Sequence, residues 1–351
     1  MRGQVRVPPR APGRGTRPAA RPSDGTAGFR QGFAPTRRAR VSELSTRPCR
    51  DGARAAPVGA TGRGRRLLSG VPLPALVATR YVQPLREGGS LPAVVDTADD
   101  GGLWVVKFRG AGQGARVLIA ELVVGGLARA MGLPVPDLAL VDLPAEFGRM
   151  ERDSEIQELL RRSLGCNVGM RYLDGAFNFD ALAAGDLIDA ELAARVVWFD
   201  AFVTNMDRTA RNPNLLVWQR RPWLIDHGAA LYVHHDWRGV DEARTRAPFP
   251  LVRQHVLLAA SGDIAAADAA LAPLVTDALL RDVLADVPDA LFDDPSGPVG
   301  AGELASAEAA RARYVAYLST RVRAPRAFVE AAVAAQAEAR RAPPQRLQAR
   351  R

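Results

Sequence analysis

The period of the apolar residues changes along this chain, and that change limits what it can fold into. Between residues 73 and 108 apolar positions fall in short alternating runs bounded by turns, and from about residue 115 helical spacing takes over for most of the remaining length. Residues 75–85 read as a strand, Glu87-Gly88-Gly89-Ser90 as a turn, and residues 92–95 as the returning strand. After a second turn at 99–102, residues 103–108 alternate so that Leu103, Val105 and Lys107 share one face of a third strand. Residues 115–131 read as a helix stopped by Gly132 at a C-cap position and by Pro134 and Pro136 beyond it, and residues 138–141 resume as strand.

Ser154 followed by Gln157 has the spacing of a capping box and predicts a polar helix over 154–164. Residues 166–179 then read as a connector, with Gly165, Gly169 and Gly175 around and within it. Leu192, Val196, Phe199 and Val203 form the stripe of a helix over 191–203, which breaks into the polar run Thr204-Asn205-Met206-Asp207-Arg208. Strands at 215–218 and 223–225 follow, joined by Gln219-Arg220-Arg221-Pro222, and residues 259–341 are Ala- and Leu-rich and helical in character. Trp198, Trp218 and Trp223 sit among apolar neighbours and read as core anchors, and His234-His235-Asp236 reads as surface or loop, because adjacent side chains point different ways. There is no internal repeat.

Charge is divided as sharply as pattern. The formal net charge of the 351 residues is +9, but residues 1–70 carry sixteen Arg against Asp24, Glu43 and Asp51, and residues 340–351 add five Arg and no acid. Residues 71–339 are left with 26 basic and 35 acidic residues, a net of −9, so a basic groove for duplex DNA is not expected in the folded body. Any affinity for nucleic acid belongs to the Arg-rich ends. The leader, rich in Gly and Pro and without sustained apolar period, has a disordered composition; a transit peptide, an early start codon and a nucleic-acid tail all fit it. Cys49 and Cys166 give neither a disulfide framework nor a cysteine zinc site, which points to a reducing, cytoplasmic setting. The longest uncharged stretch near the start, 67–79, is too short to cross a bilayer, so no membrane association is expected.

Of the 47 basic residues only one, Lys107, is a lysine. Where Arg serves every diffuse positive charge, a retained Lys marks a place that needs a compact ammonium and has no room for a planar fork. Glu121 lies on the 115–131 helix at helical spacing from Val117, Leu118 and Val124, so its carboxylate faces an apolar surface and needs a cation there; Lys107, an Arg, or exposure to solvent would each meet that need. Asp207, Asn212, Asn214 and Asp226 offer the hard oxygens that suit Mg²⁺ and phosphate, with one carboxylate to spare for an attacking hydroxyl. A P-loop is excluded, because Lys107 follows Val105-Val106 and not a glycine-rich loop.

Together, Val105-Val106-Lys107-Phe108, Ala120-Glu121, the run from Asn205-Met206-Asp207-Arg208 to Asn212-Pro213-Asn214-Leu215-Leu216, and Leu224-Ile225-Asp226-His227-Gly228 resemble the HipA-like kinase family. The resemblance implies an α+β, bilobal protein-kinase-like fold related to phosphatidylinositol kinases. A disordered basic leader would occupy 1–72, a strand-rich N-lobe 73–168, a mainly helical C-lobe 169–340 and a basic tail 341–351. It further implies that Lys107 binds the α and β phosphates of ATP and pairs with Glu121, that Asp207 is the catalytic base, and that Asp226 holds Mg²⁺. Gly88, Gly89 and Ser90 would form the turn over the phosphates. The second metal ligand is open between Asn212, which has the usual offset from Asp207, and Asn214, which directly precedes the strand; Asn214 is favoured. His227 stands where the metal motif of ordinary protein kinases has Phe, and Asn205 where their catalytic motif has His. ATP and Mg²⁺ are the implied cofactors, a protein Ser or Thr hydroxyl the implied acceptor, and an antitoxin-like regulator a possible partner within the family. A nucleotide-binding pseudokinase that acts as an interaction module, and a small-molecule or lipid kinase, are the alternatives.

Overall fold

In the computed structural model, residues 72–85, 91–98, 102–112, 114–181 and 185–341 are described. The leader, the Gly88-Gly89-Ser90 turn and the last ten residues lie outside them. The fold is mixed α and β, with strands first and helices after, as the change of period predicts.

Five strands close into a barrel in the order β1-β2-β3-β5-β4: β1 Ala75–Pro84, β2 Ala93–Thr97, β3 Leu103–Lys107, β4 Leu138–Leu143 and β5 Gly165–Arg171. Closure comes from a parallel pairing of β1 with β4, in which Leu76 lies opposite Val141. Leu76, Ala78, Val95, Trp104, Val106 and Val141 fill one core cluster. Along β3 burial alternates, with Trp104 and Val106 buried and Leu103, Val105 and Lys107 half-buried on the opposite face, so the period-2 reading of this strand holds.

Helix α1, Ala115–Ala130, leaves β3 and packs against β4 and β5. It ends as the Gly-Pro signal predicts: Gly132 has a φ of +75°, its N–H bonds Arg129 O, and the Leu133 N–H reaches Ala128 O, the two bonds of a Schellman motif. Helix α2, Ser154–Arg162, starts at the predicted place with a different cap, because Asp153 and not Ser154 accepts the Glu155 and Ile156 N–H groups.

Residues 166–179 depart most from expectation, since most of this stretch is strand. β5 runs through it and is buried along most of its length, and Phe177–Asn178 forms a short strand β6. The residues that read as loop are internal fittings. Asn167 donates to Ser163 O and Gly165 O at 2.7 Å each and accepts the Arg109 N–H, and a Cβ at Gly169 would sit 2.7 Å from Val141 Cγ2. The expected lobe boundary at 168 therefore falls inside β5.

Beyond it lie α3 Ala190–Phe202 and the strands β7 Leu215–Trp218 and β8 Arg221–Leu224, which form a three-stranded sheet with β6. The β7–β8 turn is two residues, Gln219 and Arg220, both at positive φ, so Arg221 and Pro222 belong to the strand and not to the connection. The helical remainder comprises α4 Glu242–Arg246, α5 Ile264–Leu271, α6 Asp277–Ala285, α7 Asp289–Phe292, α8 Ala307–Val322 and α9 Ala327–Arg341. Trp198 anchors this part, stacking on Phe202 at 5.4 Å and meeting Phe328 edge-on at 5.6 Å. α1 is apolar nearly all round because it is enclosed, with the barrel on one side and α6 and α7 on the other.

Candidate active site

Lys107 ends β3 on the face turned to α1, and Glu121 sits in the second turn of that helix. The ammonium bonds Glu121 Oε1, and it also reaches Asp226 Oδ1 at 2.6 Å, so its two partners lie 14 and 119 residues away in the chain. Side-chain exposure falls unevenly across the trio: Glu121 keeps 5%, Lys107 12% and Asp226 41%. Burial pushes the Glu121 carboxyl up and Asp226 beside it adds to this, against the pull of Lys107. Burial also works against the charge of Asp226, but Lys107 outweighs it and holds that carboxyl below its ordinary value. Lys107 itself would be neutralised by burial, and the two carboxylates keep it charged. The site thus places two carboxylates around one cation, with burial opposing the charge of Glu121 most and Lys107 favouring the charge of Asp226.

Asp226 leaves β8 with a φ of +53°, a conformation that costs a non-glycine residue about 1 kcal/mol or more. Thr204, Asn214 and Leu231 share the left-handed region, so four of the seven such non-glycine residues described flank this site. Gly228 is required by space: a Cβ there would stand 2.5 Å from Val117 Cγ1 and 3.2 Å from Glu121 Oε1. His227 is buried, its two ring nitrogens without a partner in the structure, and burial with the nearby Arg208 charge pushes its pKa down to about 3.

Asp207 lies in the loop after α3. Asn212 Nδ2 donates to its Oδ2 at 2.7 Å, and Asn214 Nδ2 to the same oxygen at 3.3 Å. Both asparagines thus meet Asp207; Asn212 is exposed, while Asn214 is buried and accepts the Ile225 N–H on its carbonyl at 3.0 Å. Through that bond the Asp207 loop is tied to the residue before Asp226. Arg208 makes the same join, donating to the carbonyls of Asn214 and Ile225.

Sequence reasoning missed what holds this loop. Asp200, on α3, is fully buried; its Oδ2 accepts Arg208 Nε at 2.5 Å and contacts His255 Nε2 at 2.9 Å, and its Oδ1 accepts Asn205 Nδ2 at 2.9 Å. Burial alone would raise this carboxyl, and the Arg208 and His255 charges hold it well below the usual range. Asn205 passes the constraint on by accepting the Asp207 N–H at 3.2 Å. The available signal was one carboxylate inside the apolar run Val196-Val197-Trp198-Phe199-Asp200-Ala201-Phe202, which demands a buried cation.

His234 corrects another expectation. It is fully buried, with Nδ1 2.9 Å from Tyr314 OH, while His235 and Asp236 are exposed. Among the described residues no group of three or more His, Cys, Asp and Glu is arranged to hold a metal. The Asp226 and Asp207 carboxylates and the Asn amides still suit Mg²⁺, which is characteristically held by one or two carboxylates together with substrate phosphates. No described helix is long and apolar enough to cross a membrane.

Comparison with known proteins gives three findings. No curated protein matches the chain. The crystal structure of a Helicobacter pylori proinflammatory kinase, CtkA, superposes with a TM-score of 0.42 at 12% identity, covering 76% of this chain and 99% of that one. Residues 81–241, the stretch that carries Lys107, Glu121, Asp207 and Asp226, match the family of HipA-like kinases, and the resemblance read from the sequence holds over that length.

Proposed function

We propose that the chain is a phosphotransferase that uses ATP and Mg²⁺ to phosphorylate a hydroxyl, with a protein Ser or Thr as acceptor. The observation that carries this reading is the arrangement around Lys107, whose ammonium meets one carboxylate from α1 and one from the segment after β8. The match to HipA-like kinases supports the same reaction class. The acceptor class and a regulatory partner rest on the resemblance, and a cytoplasmic setting on the two cysteines of the sequence, which give no disulfide framework.

In this reading Lys107 turns from Asp226 toward the α and β phosphates and keeps Glu121 as its counter-ion. Asp226, whose side chain is 41% exposed, and an asparagine of the loop would hold the metal, which when bound neutralises phosphate charge. Asp207 accepts a hydrogen bond from the acceptor hydroxyl and orients its oxygen for in-line attack, while Asn212 and Asn214 steer the carboxylate. Val105 on the Lys107 face of β3 and Leu216 on β7 are half-buried apolar side chains of the kind that flank an adenine ring.

The test is transfer of label from γ-labelled ATP with Mg²⁺ to the protein itself and to a cell extract. Wild type should label, and Asp207→Asn should lower the rate by about 10²-fold or more. Mg²⁺-dependent ATP binding without transfer would favour the binding module, transfer only to small hydroxylated acceptors would move the acceptor class, and absence of ATP binding would end the proposal.

A further inference from the structure

In kinases the Lys–Glu pair depends on where the helix bearing the Glu sits, and that position is commonly set by a phosphate paired with an arginine. Here the start of α1 is tied down by unmodified side chains. Its N-cap, Gly114, offers no side-chain acceptor, and Ser296 supplies one from a distant turn: Oγ accepts the Ala115 N–H at 2.8 Å and donates to Asp294 Oδ1 at 2.5 Å. The next residue, Arg116, is buried. Its Nε donates to Ser296 O at 3.0 Å, its Nη2 to Glu303 Oε1 at 2.8 Å, and its Nη1 to Glu303 Oε2 at 3.3 Å and to the His234 carbonyl. Glu303 Oε2 also accepts the Trp237 N–H at 3.2 Å.

One guanidinium therefore joins three pieces of chain: the first turn of α1, the turn around Ser296 and Glu303, and the segment that follows Asp226. Glu121 rides on the helix that the first piece opens, Asp226 stands eight residues ahead of His234 in the third, and both carboxylates contact Lys107. Packing already holds the rest of α1, because a Cβ at Gly125 would stand 2.7 Å from Leu138 Cδ1 and one at Gly126 3.0 Å from Val283 Cγ1. A buried ion pair adds little stability over an apolar replacement, but it fixes geometry. We propose that the Arg116–Glu303 pair is a positioning device: it sets α1 and the Asp226 segment at the separation where both carboxylates reach Lys107, so that the site is assembled without phosphorylation. Its bearing on catalysis rests on the phosphotransferase reading; the coupling to Lys107 does not, and it is tested separately.

Lys107 is the only lysine, so an amine-selective acylating reagent reads this one side chain, with the N-terminal amine resolved by peptide mass spectrometry. Cys166, fully buried in β5, reports global opening through thiol alkylation in the same sample. In Glu303→Gln of the full chain, Lys107 acylation should rise by at least about fivefold, the lower end of ordinary coupling between sites, with Cys166 alkylation unchanged. Ser296→Ala, which removes the cap and the bond to Asp294 but leaves the Arg116–Glu303 pair, should move Lys107 in the same direction by less, and it keeps the test available if Glu303→Gln does not fold. Equal Lys107 rates in wild type and variants, or parallel rises at Lys107 and Cys166, would overturn the positioning role. Faster acylation in a protein that never transfers phosphate would uphold the coupling and reject the phosphotransferase reading; where transfer is measured, kcat should fall in Glu303→Gln.

Discussion

Asp200 and Asp226 are both carboxylates paired with a buried cation, one on each side of the Asp207 loop, and they are built differently. Asp200 and Arg208 have no exposed side-chain surface, and both Asp200 oxygens are occupied, by Asn205, Arg208 and His255. Asp226 is 41% exposed and shares Lys107 with Glu121. A closed network in a low dielectric is rigid, because losing any member strands the others. An open one has room for a further partner. The first arrangement suits the support of a loop, and the second suits the ligand site proposed above.

The sharpest way to break this comparison is to neutralise each carboxylate in turn. Asp200→Asn leaves the Arg208 guanidinium buried without a counter-charge and should cost about 3–5 kcal/mol in urea unfolding. Asp226→Asn leaves Lys107 with Glu121 and should change stability by less than about 1 kcal/mol. Similar losses in the two variants would show that both clusters are structural.

Next in size is Gly228→Ala. The added methyl meets Val117 Cγ1 at 2.5 Å and crowds Glu121 Oε1 at 3.2 Å, so α1 and the Asp226 turn must separate, at about 1–3 kcal/mol of unfolding free energy. A variant as stable as wild type would mean that the two elements yield easily and that the open cluster is looser still than its exposure implies. Lys107→Arg keeps the charge but places a planar fork between Glu121 and Asp226; kcat/KM for ATP should drop roughly tenfold, a loss of ~1.4 kcal/mol, while denaturant stability changes less.

The open cluster was legible in the sequence and the closed one was not, for a physical reason. Lys107 announces itself by being the lone lysine on an alternating strand, Glu121 by its apolar helical neighbours, and Asp226 by following a strand and preceding His-Gly. Each is a local pattern of period 2 or 3.6. Asp200, Arg208 and His255 are joined by contacts across 8 and 55 residues, and His255 follows a short 3-10 turn that carries no periodicity. The misreading of β5 has the same origin, since Asn167 and Gly169 suit a loop locally and are justified only by what the barrel brings to them. Arg116 gives no signal in the sequence, as one Arg among so many, and burial alone singles it out.

His227 tests the boundary between the two clusters, with the smallest effect at neutral pH. It lies next to Asp226, yet it is buried like Asp200 and has no hydrogen-bond partner on either ring nitrogen. Its pKa in the folded protein is about 3 against an ordinary 6.5, so between those values the unfolded chain takes up a proton that the folded one refuses. Stability is therefore full above about pH 6.5 and falls as the pH drops, by up to ~1.4 kcal/mol per pH unit for this one group. Asp200 and Asp226, whose folded pKa values are depressed, act in the same direction but only below the unfolded carboxylate range near 3.8. His234 and His235, also depressed by burial, add to the slope in the upper window, and Glu121, whose carboxyl burial pushes up, acts against it above pH 4.5, so the variant is read against wild type and not against a single proton. His227→Phe should flatten urea-unfolding free energy between about pH 6.5 and 4.5 by close to one proton's worth while changing stability at pH 7.5 by less than about 1 kcal/mol. An unchanged slope would mean that water reaches the imidazole in solution, and the space behind Asp226 would then belong to the open cluster.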